Sequence, residues 1–277
     1  MDIGIHVSLW TPEWQSPFLD AIDIADDLGF TCVEIPLMDP QKLPIAEIGR
    51  RLSRHGLKVY CGTGLNPTTD IGNPVESVRK NGIRHLEACI EVCAELGSDS
   101  LGGVLHSPWG MKGLPAPGYA DTAAASLSQA AETAEKYGVS LAIECINRYE
   151  NSFINTVSQG LSLLGRIGRS NVGLHLDTYH MNIEERSLTQ AIADAGKLLK
   201  RIHLSENNRG YPGNGILPWE DIIRAAKEVA YKGPWIIESY VRQAFAASSD
   251  VSVWRDIEPD MDKSLVQSLK YLKNLIG

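Results

Sequence analysis

The feature that most narrows the fold is a rhythm: short β-rich runs alternate with amphipathic helical patterns along the whole chain. The strand candidates are 2–10 (DIGIHVSLW), 32–37 (CVEIPL), 58–65 (KVYCGTGL) and 99–107 (DSLGGVLHS), followed by 139–147 (VSLAIECIN), 172–180 (VGLHLDTYH), 201–208 (RIHLSENN) and 235–241 (WIIESYV). Between them lie helical patterns such as PFLDAIDIADDLG, TAAASLSQAAETAEKYG and WEDIIRAAKEVAYKG, and the last is PDMDKSLVQSLKYLKNLIG. Gly29, Gly56, Gly97, Gly138 and Gly233 close helices, where glycine relieves the left-handed cap. Strand–helix units repeating every roughly 30 residues imply a parallel sheet. Eight units without a linker argue for one α/β domain over 1–277, a single (β/α)8 TIM barrel. A doubly wound open sheet would carry a glycine-rich loop after its first strand, and TPEWQSP has no glycine.

Composition removes several functional classes. A formal net charge of −8 disfavours a nucleic-acid partner, because phosphate binding needs a basic face. No window approaches the long uncharged run of a membrane span. The start, MDIGIHVSLW, lacks the basic head and cleavage site of a signal peptide and reads as a strand. The cysteines number five, with Cys32, Cys61 and Cys145 in strands and Cys89 and Cys93 four apart in a helix with no further ligand nearby. They read as free, buried thiols of a reduced, cytoplasmic protein.

In a barrel of this kind, chemistry sits at the C-terminal ends of the strands. Four apolar runs are interrupted there: LAIEC by Glu144, LHLDT by Asp177, RIHLS by His203 and WIIES by Glu238. These belong to strands five to eight, which are neighbours, so the four side chains converge on one half of the mouth. Three buried carboxylates facing one another are costly unless some protonate or a cation sits between them. A mostly oxygen site with one nitrogen suits Mn²⁺, Mg²⁺ or Co²⁺ better than structural zinc. Each residue alone also has a structural reading; Asp177 could cap the segment after strand six, and His203 could be a core imidazole. His175 alternates with Asp177 but lies deeper, as a packing or supporting residue. His55 and His85 fall in helices as surface residues, while His6 and His106 near strand ends one and four would line a pocket.

The segments ECINRYE, LDTYHMNIEE, HLSENNRG with GNGILPWE, and IIESY resemble the D-tagatose 3-epimerase family, which includes the D-allulose (psicose) and L-ribulose 3-epimerases among the xylose-isomerase-like barrels. The similarity runs from SLW…EW and VEIPLMDP to VWRD, and LDTYHMNIEE is its most specific element. The resemblance implies that Glu144, Asp177, His203 and Glu238 ligate Mn²⁺, with Glu144 and Glu238 as the two acid/base carboxylates. It implies that Glu150, His180 and Arg209 bind the O1–O3 end of a free ketose. Trp14 and Trp109 would line the apolar side near the distal carbons. His6 stands where several members have tyrosine or phenylalanine, Ser205 where glycine is common, and Ser239 and Tyr240 where many have Pro–Phe, so substrate preference is less constrained than the reaction.

The implied reaction inverts C3 through a cis-enediolate, with one glutamate removing the proton and the other returning one to the opposite face. Family members are often dimers or tetramers, so the same analogy implies a homodimer or homotetramer. The rivals are an aldose–ketose isomerase of the hydroxypyruvate isomerase kind, a keto-glycoside-cleaving relative and a non-catalytic sugar-binding protein. A DNA-repair endonuclease ranks last, because the chain has few strand-end histidines and a negative charge.

Overall fold

The computed structural model describes residues 2–14 and 17–277. Strands β1 (Ile3–His6), β2 (Cys32–Pro36), β3 (Lys58–Leu65), β4 (Ser100–Pro108), β5 (Ser140–Cys145), β6 (Val172–Asp177), β7 (Leu199–Leu204) and β8 (Trp235–Ile237) pair in sequence order and close into a parallel barrel. Closure is made by β8 against β1, with Ile3, Gly4 and Ile5 opposite Trp235, Ile236 and Ile237. Almost every strand residue is buried, because one face meets the barrel interior and the other the ring of helices. That is why the strands read as near-continuous apolar runs, and why a charge inside one stands out. The helices lie outside: α1 (Leu19–Asp27), α2 (Ile45–His55), α3 (Glu76–Leu96), α4 (Tyr119–Lys136), α5 (Val157–Ile167), α6 (Thr178–Glu184), α7 (Leu188–Ala195), α8 (Trp219–Glu228), α9 (Ala246–Asp250) and α10 (Met261–Ile276).

Four strands stop well short of the sequence pattern: β7 ends at Leu204 and β8 at Ile237, before the expected 208 and 241, and in the other two a side chain ends the strand. At His6, Nδ1 accepts from the Ser8 backbone N–H (3.3 Å), and the chain turns into a 3-10 helix over Val7–Trp10 rather than continuing as strand. At Asp177, Oδ1 accepts from the Tyr179 N–H (2.7 Å) and caps α6, so Tyr179 and His180 of the expected strand are helical. Gly29, Gly56, Gly97 and Gly138 all have positive φ at helix ends. Gly233 does not cap a helix. Ala230 takes the left-handed turn after α8 (φ 56), and Gly233 is needed instead because a Cβ there would lie 2.2 Å from the Lys200 carbonyl oxygen.

The barrel interior carries charge that the apolar pattern conceals. Arg201 of β7 is fully buried; its Nη1 donates to Glu34 Oε1 (2.9 Å) and the Cys61 carbonyl (2.8 Å), and its Nη2 to Ser100 Oγ (2.8 Å). Room for this pair comes from missing side chains. A Cβ on Gly102 would sit 2.4 Å from Arg201 Nη1, and one on Gly62 would sit 2.6 Å from Glu34 Oε1. All five cysteines are free and buried, and burial pushes the thiols of Cys32, Cys89 and Cys145 well up.

Two histidines expected on the surface are not there. His55 is half-buried between Asp23 (2.7 Å) and Asp26 (2.6 Å) of α1, clamping α2 to its neighbour, and these carboxylates raise its pKa. His85 is half-buried under β3, with Nε2 3.0 Å from Thr63 Oγ1. In both cases a polar group on the neighbouring element draws the imidazole inward. Among the described residues no helix is long and apolar enough to cross a membrane.

Candidate active site

The ends of β5 to β8 bring Glu144, Asp177, His203 and Glu238 together at one side of the mouth. One ligand atom from each lies within 4.8 Å of the others. The strand register explains the convergence: Asp177 is aligned with His203, and His203 with Ile236 two residues before Glu238. Glu238 stands just past β8, and its backbone N–H donates to the Leu204 carbonyl (3.2 Å). Asp177 serves in both of the ways its position allows, since Oδ1 caps α6 while Oδ2 faces the site, 3.1 Å from Arg209 Nη1.

The histidine is aimed from below. His203 Nε2 lies 2.9 Å from Glu34 Oε2, which leaves Nδ1 facing Glu238 Oε1 at 3.5 Å with no hydrogen-bond partner. An imidazole nitrogen buried without a partner beside three carboxylates is what a cation site requires, so the donor set fits a divalent ion. Glu34 also lines the cavity, and sequence reasoning missed it. Its signal was the acid inside CVEIPL, the same interruption that marked the other four.

The electrostatics separate the two glutamates. Burial, reinforced by Glu238, raises the Glu144 carboxyl well above the usual range. Burial opposes the charge on Glu238 as well, but His203 and Arg209 outweigh it and hold that carboxyl well below the range. Burial lifts Asp177 to about 7, with Arg209 drawing it down and Glu238 pushing it up. Glu34 falls to about 2: burial works against its charge, and Arg201 and His203 overcome it.

A second group surrounds this cluster. Arg209 adopts the left-handed backbone region (φ 67), which turns its guanidinium inward over the Tyr179 ring (4.0 Å). From there Nη1 reaches Glu238 Oε2 (3.2 Å) and Nη2 reaches Glu150 Oε1 (3.2 Å). The buried carboxylate of Glu206 holds the loop that carries Arg209, accepting from Trp219 Nε1 (2.5 Å) and the Gly213 N–H (3.0 Å). His180 Nδ1 accepts from the Asn147 N–H (3.2 Å), while Nε2 lies 3.3 Å from Arg209 Nη2 and points toward Glu144 Oε1 (3.7 Å) and Asp177 Oδ2 (3.9 Å). Burial depresses its pKa to about 3, which keeps it neutral. Trp109 Nε1 donates to Glu150 Oε2 (3.3 Å), and Trp14 Nε1 to Asp250 Oδ2 (3.0 Å).

These groups enclose a cavity of about 360 Å³. His6, Trp14, Trp109, Glu150, His180 and Arg209 all line it together with Glu144, His203 and Glu238. His106 does not: it is fully buried on β4 itself, with Nε2 3.1 Å from the Glu144 carbonyl and Nδ1 2.8 Å from Ser107 Oγ. Tyr240, which stands where many family members have phenylalanine, lines the cavity too; Met38 in its wall and Asn147, which holds His180, were not singled out in the sequence. Each lies in a segment whose polarity is unremarkable until the loops fold together.

Residues 22–275 match the model of the xylose isomerase-like TIM barrel family. The ketose 3-epimerase of Arthrobacter globiformis is 33% identical over 268 residues, covering 95% of this chain and 92% of that one. The chain belongs to the ketose 3-epimerases. A solved D-psicose 3-epimerase, crystallised in the presence of D-fructose, superposes with a TM-score of 0.95 at 32% identity over 100% of both chains. The D-allulose 3-epimerase of Methylomonas sp. in complex with D-allulose gives 0.93 at 30% identity, over 99% of this epimerase and 97% of that one. The epimerase is therefore an isomerase-class enzyme, and its acidic cluster sits at the strand ends where barrels of this kind perform chemistry.

Proposed function

We propose that this epimerase inverts C3 of free ketoses of the D-tagatose, D-allulose/D-fructose and L-ribulose class. Glu144 and Glu238 exchange the proton, and Glu144, Asp177, His203 and Glu238 hold Mn²⁺, with Co²⁺ or Mg²⁺ as the alternative ions. The observation that carries this reading is the pair of glutamates, on β5 and just past β8, which line one cavity and bring their carboxylates into one cluster with Asp177 and His203. Two carboxylates from different strands can serve as the proton acceptor and the proton donor that inversion requires. When bound, a divalent cation would supply positive charge beside the sugar's oxygens and make the C3 proton easier to remove.

The chain's own groups supply the rest. His180 presents its Nε2 edge and Arg209 a guanidinium to the oxygens at the carbonyl end, with Glu150 anchoring both Arg209 and Trp109. His6, Trp14 and Trp109 bound the distal end and exclude water there. The D-fructose and D-allulose associated with the two solved relatives support a free monosaccharide as substrate. Exposed apolar side chains on loops at the strand C-terminal side (Leu114, Tyr149, Ile216 and Trp254) support a homodimer or homotetramer. The free, buried cysteines support a reducing, cytoplasmic setting, and we treat 1–277 as one domain.

The test is a panel of free ketoses incubated with the metal-loaded enzyme in ²H₂O, read by NMR. Deuterium at C3, with growth of the C3 epimer, is the expected result. Label at C1 or C2 instead would replace epimerisation by aldose–ketose isomerisation. Glu34 offers a second check. Glu34→Gln is expected to weaken divalent-cation binding by about 10–100-fold, because a ligating imidazole loses the carboxylate that orients it. Calorimetric titration reads this directly, and an unchanged affinity would remove Glu34 from the site.

A further inference from the structure

We infer that the barrel contains a second, deeper seat for a divalent cation, formed by Glu144, His175 and His203, which takes borderline-soft ions such as Zn²⁺ in competition with the outer, oxygen-rich seat. His175 is the buried group for which the proposed chemistry has no use. It lies on β6, two residues before Asp177 on the same interior face, fully buried, and neither of its ring nitrogens has a hydrogen-bond partner. An imidazole taken out of water with both nitrogens unsatisfied is costly unless something else binds it. Nothing apolar explains its retention at a site that a leucine would fill.

The geometry names the missing partner. His175 Nδ1 is 3.7 Å from Glu144 Oε2, and its ring meets the His203 ring edge-on with centroids 4.0 Å apart. One ligand atom each from Glu144, His175 and His203 lies within 4.8 Å of the other two. Two ligands that each sit about 2.0–2.2 Å from a zinc ion are at most about 4.4 Å apart, so the 3.7 Å pair falls within that span, and the 4.8 Å bound on the other pairs exceeds it by only about 0.4 Å. The outer seat offers three carboxylates and one imidazole, whereas the inner offers two imidazoles and one carboxylate. Nitrogen-rich sites of low coordination number favour Zn²⁺, while carboxylate-rich open sites favour Mn²⁺ and Mg²⁺.

The two seats exclude each other. His203 Nε2 is committed to Glu34 at 2.9 Å, so only Nδ1 is available, and one nitrogen lone pair serves one ion. A zinc ion held below is withdrawn from Asp177 and Glu238 and from the cavity where a sugar would bind. The inference uses the outer seat of the proposed function only for the competition; the inner seat stands or falls on His175.

The experiment titrates Zn²⁺ and Mn²⁺ separately into metal-free protein by calorimetry, for the parent, His175→Leu and Asp177→Asn. In His175→Leu the Zn²⁺ affinity is expected to fall at least about tenfold while Mn²⁺ affinity changes far less. Asp177→Asn is expected to show the reverse preference. Equal losses for both metals in His175→Leu overturn the inner seat. Unchanged Mn²⁺ binding in Asp177→Asn, with the His175 effect intact, would instead sink the outer seat alone. Should His175→Leu fail to fold, zinc-edge X-ray absorption on the parent decides. Two imidazoles on zinc support the inner seat, and a single imidazole overturns it.

Discussion

Glutamine in place of Glu144 or Glu238 is expected to lower turnover by at least about a thousandfold, with the melting temperature and the circular-dichroism spectrum little changed. The amide keeps a carbonyl oxygen that can still ligate a cation but can neither take nor give a proton near neutral pH. Each substitution therefore separates the acid/base role from the structural one, provided metal content is measured on the same samples. The fold should tolerate both, because each glutamate sits at or beyond a strand end and neither belongs to the apolar contacts between barrel and helices. The two variants should also fail differently. With one carboxylate left, the C3 proton can still be lifted from one face, so slow exchange of a single epimer with solvent survives in each. Turnover near the parent level in either variant would remove that glutamate from the reaction.

Stripping the protein of divalent metal is expected to abolish epimerisation, and adding Mn²⁺ back to restore it. The protein should remain folded throughout. Arg209 lies 3.1 Å from Asp177 and 3.2 Å from Glu238, and the raised proton affinity of Glu144 favours its neutral form, so the chain's own groups offset the charges of the cluster. Binding should nevertheless be visible in stability. Metal at a hundred times its dissociation constant contributes about 2.7 kcal/mol. For a chain of this size that raises the melting temperature by about 5 °C. Activity that survives exhaustive chelation, or a melting temperature indifferent to metal, would contradict the assignment of the four ligands.

Much of this arrangement was legible before the structure, and for a physical reason. In a barrel walled by helices both faces of a strand are dry, so a carboxylate or imidazole at its end is an anomaly that an apolar run displays openly. Glu144, Asp177, His203 and Glu238 were visible in that way. Glu34 made the same interruption in CVEIPL and was passed over, because it lies on a strand outside the neighbouring set of four. Arg201 gave no warning at all. It opens RIHLS, where a basic residue at a strand start ordinarily points to solvent, and its partner Glu34 is separated from it by 167 residues. His85 and His106 were misplaced for a related reason: what holds an imidazole inside is a group on another element, Thr63 in one case and the Glu144 carbonyl in the other. Local pattern reports burial along a strand, but not which distant atom makes burial affordable to a polar group.

Gly62, in the cavity wall, and Gly102, below it, decide whether the guanidinium beneath the mouth has space to reach Glu34, and Glu34 in turn sets the bearing of His203. A single methyl added at either place would displace the end of the Arg201 or Glu34 side chain and so bear on His203, like a shim under one leg of an instrument. Control of the mouth therefore extends to vacant space at its foundation, and variants that tune cation binding can be sought at Gly102, which does not line the cavity.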